Sequence, residues 1–190
     1  MIFLKFSRLY IFVILLMINI LYSCNVSTKP ERRLELTEQA NSFMNRSIKF
    51  APLFSDSRNS LKPILWNKKN KIILYIDSLY CTSCTFNEIR KWNKYYKELE
   101  QMNTEIVIIC NHSEVNDVLD IREIAHINYP IFFDVNKRFK LANCIPKDAI
   151  FQTFVLGSNN QVIWVGLPIR SEESWERFCL MMTMYNEVSK

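Results

Sequence analysis

One stretch constrains this chain more than any other: Lys71 to Glu100, which reads KIILYIDSLYCTSCTFNEIRKWNKYYKELE. It opens with a short apolar run, Ile72 to Ile76, whose β-branched and aromatic side chains predict a buried strand. A turn over Asp77 to Tyr80 follows, and then Cys81 and Cys84 in a C-x-x-C spacing. Phe86, Ile89, Trp92, Tyr96 and Leu99 recur at three- and four-residue steps, which is one face of an amphipathic helix. Both thiols are thus expected where a strand hands over to a helix. The free N–H groups and partial positive charge of a helix N-terminus favour a thiolate and draw its pKa below the ordinary value of about 8.5. Cys81, nearer the helix end, is assigned as the attacking thiol, and Cys84 as the thiol that resolves the mixed disulfide.

Downstream, Glu105 to Cys110 (EIVIIC) predicts a second buried strand. Glu114 to His126 predicts a helix with Val115, Val118, Leu119 and Ile121 spaced for burial. Tyr129 to Asp134 (YPIFFD) predicts a third strand, with Pro130 favouring an edge position. Asn136 to Asn143 fits a short helix. Phe151 to Leu156 and Gln161 to Val165 are strands joined by Gly157-Ser158-Asn159-Asn160, a hairpin signal. Ser171, or alternatively Ser174, caps a last helix carrying Trp175, Phe178, Cys179 and Met182. Parallel crossovers followed by a hairpin give a mixed sheet covered on both faces.

Upstream, Met1 to Ser23 carries a basic start (Lys5, Arg8) and an apolar core from Leu9 to Ile20, short for a membrane span. It ends in Leu21-Tyr22-Ser23-Cys24, which resembles the bacterial lipoprotein signal. That resemblance implies cleavage after Ser23, lipidation of Cys24 and an address in the cell envelope, anchored to a membrane and facing the periplasm or exterior. Residues 24–66 are then a polar tether and an N-terminal helical extension, with Leu34, Leu36, Ala40, Phe43, Met44 and Ile48 as its apolar stripe, packed on a main domain at 67–190.

The remaining composition narrows the chemistry. Thirteen Phe, eight Tyr and four Trp are ample for one core. The net charge of +5 includes Lys5 and Arg8 of the leader, and the basic residues are otherwise scattered, so a nucleic-acid partner is not expected. With only two glycines, tight turns must rely on Asn, Asp and Ser. Outside the cytoplasm a disulfide is permitted. His112 and His126 are the only histidines, there is no second C-x-x-C, and Thr85 after Cys84 excludes haem attachment, so no metal or other cofactor is expected. Cys110 and Cys179 read as core residues, and Cys144 as a loop thiol.

The order of elements, with C-x-x-C after the first core strand, resembles the thioredoxin fold and within it the TlpA-like or redoxin lipoproteins. Four stretches carry the resemblance: IILYIDSLYCTSC, EIVIIC, YPIFFD and TFVLGSNNQVIWVG. It implies a three-layer α/β/α sandwich with a mostly five-stranded mixed sheet. It implies thiol–disulfide exchange with protein thiols and disulfides, through Cys81 and Cys84. Tyr80, Thr82 and Ser83 beside the thiols would contact the substrate, as would Phe151 and Gln152, one of which stands where the family has a cis-proline. The family's buried acid would fall at Tyr75, and its tryptophan before the first cysteine is Tyr80 here. A non-catalytic binding module with a structural Cys81–Cys84 disulfide is the other reading.

Overall fold

The computed structural model describes residues 28–50, 53–55, 70–77, 88–111, 115–124, 126 and 128–188. The leader, Cys24, residues 56–69, Tyr80 to Cys84, Phe86 and His112 lie outside the described residues. The chain divides into two units, Met1–Asn41 and Ser42–Lys190. Of the first, the body of helix α1 (Thr28–Phe43) is described; Thr37 donates back to the Arg33 carbonyl and Gln39 to Glu35 within it.

The second unit is built on a six-stranded sheet. Its strands are β1 (Phe54–Ser55), β2 (Asn70–Asp77), β3 (Thr104–Asn111), β4 (Ile131–Phe133), β5 (Thr153–Leu156) and β6 (Val162–Val165), in the order β1-β4-β3-β2-β5-β6. β2, β3 and β4 are parallel, while β5 and β6 run antiparallel to them as a hairpin and β1 pairs antiparallel with β4. All eight residues of β2 are buried, as a central strand with both faces covered requires. The two-residue β1 pairs with the outer side of β4, so the edge expected from Pro130 is partly covered; the Pro130 carbonyl itself accepts from the Ile108 N–H.

Alternate residues of the strands feed two cores. Ile72, Leu74 and Ile76 join Ile106, Ile108 and Cys110 on one face. Trp92 and Leu99, Val118 of α3 (Val115–Ile124) and Phe178 and Met182 of α5 (Glu172–Val188) cover that face. On the other face Tyr75 stacks on Phe139 of α4 (Arg138–Ala142), and Phe43 meets Phe151 and Phe154 edge-on. Phe43, the last residue of α1, is buried, as are Ile48 and Leu53 beyond it.

Turn chemistry compensates for the missing glycines. Asn45, Asn103, Asn136 and Asn160 all adopt positive φ, the conformation an Asn side chain tolerates better than most. Ser171 is the cap of α5: its Oγ accepts from the Ser174 N–H at 3.2 Å.

Three local expectations are corrected. The helix after the C-x-x-C is already running at residues 88–90, tightens to a 3-10 segment at Lys91–Tyr95 and relaxes into α2 (Tyr96–Gln101). Three residues per turn put Trp92 and Tyr95 on one face. Tyr95 therefore packs on Trp175, with ring centroids 4.3 Å apart, and Tyr96 is left 52% exposed instead of buried. Asp77 is the last residue of β2, paired in register with Asn111, not the first of a turn. Finally, β5 starts at Thr153: Ala149–Gln152 form a 3-10 turn whose start is capped by Asp148, its carboxylate accepting from the Ile150 N–H.

Candidate active site

Parallel strands deliver their C-terminal ends to one edge of a sheet, where open α/β folds bind ligands. Here Asp77 of β2 lies beside Asn111 of β3, and Asp134 follows β4, its N–H donating to the Cys110 carbonyl. Two of the three are fully buried carboxylates, which need partners. The Asp134 carboxylate finds three: it accepts from the Phe139 and Lys140 N–H groups and from the Tyr75 hydroxyl at 2.9 Å, while the Lys137 N–H turns back to the Asp134 carbonyl. Asp77 takes the Lys140 ammonium at 2.5 Å and Lys137 at 3.5 Å. The left-handed backbone of Asn136 and Lys137 aims that helix start back over the sheet edge. Burial, reinforced by Asp134, raises the Tyr75 pKa far above its ordinary value, so the phenol remains a donor.

Tyr75 is buried, and so is the carboxylate of Asp77 two residues later, four residues ahead of Cys81. The lysine partners of Asp77 come from 60 and 63 positions downstream, so no local pattern announces them. Asn111 was also missed: its side-chain nitrogen is buried at the same edge with no hydrogen-bond partner among the described residues.

Next to the cluster runs a groove of about 120 Å³ lined by Leu74, Ile76, Ile89, Trp92, Gln152 and Thr153, among others. It lies between the C-terminal half of β2, the helix that follows the C-x-x-C and the start of β5. Gln152 is half-buried and borders this groove. Phe151 does not: it is wholly buried against Phe43, so it belongs to the core and offers no surface to a substrate. No cis peptide occurs among the described residues, so the chain passes Gln152 in the trans form. Cys110, expected in the core, is fully buried, and burial pushes its thiol up to about 12. Cys179 is half-buried and Cys144 is exposed, both unpaired. His126 is exposed just beyond α3.

The fold has solved counterparts. The chain superposes on the peroxidoxin BcpB of Mycobacterium tuberculosis with a TM-score of 0.56 at 13% identity, covering 74% of this chain and 96% of that one. A thioredoxin-like protein from Porphyromonas gingivalis gives 0.54 at 14% identity, with 74% and 92% covered. A domain of a possible thiol-disulfide isomerase from Cytophaga hutchinsonii gives 0.53 at 17% identity, with 77% and 97% covered. The architecture is therefore thioredoxin-like. No family model matches the chain, and no curated protein matches it.

Proposed function

We propose that this chain is a thiol–disulfide oxidoreductase, anchored in the cell envelope through lipidated Cys24, that exchanges the Cys81–Cys84 pair with protein substrates. One observation carries the reading. On a thioredoxin-like sheet, the central strand ends at Asp77 and a helix is running by residue 88, and the ten residues between them contain both cysteines. The adjoining apolar groove suits a side chain flanking the partner's cysteine.

In the reducing direction the Cys81 thiolate attacks one sulfur of a partner disulfide. An S–S bond forms between the two proteins, and the second partner sulfur leaves as a thiolate and takes a proton. Cys84 loses its proton and attacks the Cys81 sulfur, which closes the Cys81–Cys84 disulfide and releases the reduced partner. Two electrons pass to the partner, and the reverse sequence oxidises it. Tyr80, Thr82, Ser83 and Gln152 are the proposed contacts for the visiting chain.

The competing reading, a binding module with a fixed disulfide, draws on the trans peptides at Phe151 and Gln152, one of which stands where the family has a cis-proline. A Cys84→Ser variant separates the two. Exchange predicts dithiothreitol-sensitive adducts on Cys81 that vanish in the Cys81→Ser, Cys84→Ser double variant. A pair that forms no adducts and equilibrates only below about −300 mV is a clasp. Anchoring is tested separately: Cys24→Ser should move the protein from the membrane fraction to the soluble fraction.

A further inference from the structure

The sheet face that carries α4, opposite the helix that follows the C-x-x-C, bears a surface the thiol chemistry does not use. Two stretches build it. The segment after α1 lies along α4: Phe50 stacks on the buried Phe139 ring, with centroids 5.5 Å apart. The buried Asn143, which ends α4, holds the Lys49 backbone twice, accepting from its N–H and donating to its carbonyl, each at 2.7 Å. The Arg46 guanidinium reaches the Asn143 carbonyl at 3.5 Å. Residues 46–49 and the body of α4 therefore form one continuous surface.

That surface is basic. Arg46, Lys49, Arg138 and Lys147 are all exposed. Residues 42–50 and 135–150 contain a single acid, Asp148, whose carboxylate already accepts from the Ile150 N–H. Lys137 and Lys140 are turned to Asp77 and add nothing outward. Amid the cations stands an apolar group. Arg138, Leu141 and Ala142 are spaced i, i+3 and i+4, on one outward side of α4, and Leu141 is 70% exposed.

Cations around a projecting leucine select among anionic partners. A nucleic acid duplex offers phosphates to the four cations but leaves Leu141 in water. An anionic bilayer serves both: lipid phosphates meet the cations at headgroup level, and the leucine enters the acyl boundary beneath them.

We infer that this face is a docking surface for an anionic lipid bilayer, seated through Arg46, Lys49, Arg138 and Lys147 with Leu141 inserted. It rests on the proposed anchor only in that lipidated Cys24, 22 residues before Arg46, would hold a bilayer within reach. Seated this way, the chain leaves Trp92 and the groove beside it clear on the opposite face.

Co-sedimentation of the full chain carrying Cys24→Ser tests this. The vesicles are phosphatidylcholine alone and phosphatidylcholine mixed in equal parts with phosphatidylglycerol. Residues 1–23 are common to every variant compared, so their own affinity cancels. The pair Lys49→Gln, Arg138→Gln should weaken binding to the anionic vesicles by about thirtyfold, at about fivefold per charge removed. The pair Lys94→Gln, Lys97→Gln makes the same change of charge on the helix of the opposite face and should alter binding by less than about twofold. Leu141→Ser should weaken binding to the anionic vesicles several-fold. Equal losses in the two pairs overturn the inference, because net charge alone then binds. No loss in either pair overturns it as well, because the leader then binds. So does tighter binding to double-stranded DNA than to the anionic vesicles at equal phosphate concentration. Since Cys24→Ser is present throughout, the outcome stands whether or not Cys24 is lipidated.

Discussion

The ammonium of Lys140 lies 2.5 Å from the carboxylate of Asp77, joining the start of α4 to the end of the central strand. The carboxylate is 1% exposed and the lysine side chain 13%, so this is a buried pair, whereas Lys137, the second partner at 3.5 Å, is 42% exposed. A buried pair loses most when one member is removed, because the survivor keeps its desolvation cost. Lys140→Met is therefore expected to destabilise the fold by about 3 kcal/mol and Lys137→Met by less than about 1 kcal/mol, measured by urea denaturation. The double variant Asp77→Asn, Lys140→Met should be less destabilised than the sum of its singles, since neither charge is then left alone.

Phe43, the last residue of α1, enters the core through its ring contacts with Phe151 and Phe154, at centroid distances of 5.8 and 5.4 Å. Phe43→Ala should cost about 3–5 kcal/mol in urea denaturation, the range for emptying a buried aromatic site. A cost under about 1 kcal/mol would show that this end of α1 is not part of the cooperative core.

Gly157 opens the hairpin turn with the Tyr185 ring directly over it; a Cβ there would run into the phenol end of that ring. Its φ is not in the left-handed region, so crowding alone forbids a larger residue. Gly157→Ala should destabilise by about 1–3 kcal/mol, as overpacked sites do. In a Tyr185→Ala background the same substitution should cost much less, and a double-mutant cycle by thermal or urea unfolding reads the difference.

Cys110 predicts a signature at alkaline pH. Its thiol is raised from 9.0 to about 12 in the folded state by burial alone. Between those values the unfolded chain has released the proton and the folded chain still holds it, so stability falls as pH rises. The contribution is complete below about pH 9 and is lost by about pH 12. The stability of the wild type relative to Cys110→Ala should therefore shrink by about 1.4 kcal/mol per pH unit across that window. Urea denaturation at pH 8, 9, 10 and 11 under reducing conditions measures it, and a constant difference would refute the assignment.

The sequence alone determined the elements whose signals are local. Periodicity announced β2, β3 and the burial of Trp92 and Leu99; hairpin residues announced β5 and β6; Ser171 announced the start of α5; and scarce glycine announced the Asn turns. Tertiary structure alone decided what depends on contacts distant in sequence. Asp77 was legible only as a polar residue after an apolar run, because its lysines arrive from the start of α4. Phe151 was expected to contact a substrate, but Phe43, more than a hundred positions earlier, encloses it. Tyr95 displaced Tyr96 from the core because packing against Trp175 accompanies a 3-10 turn in which side chains three apart align. A repeating pattern can reveal which face of an element is apolar, but the charges and rings that meet across the sheet are fixed only when the chain closes on itself.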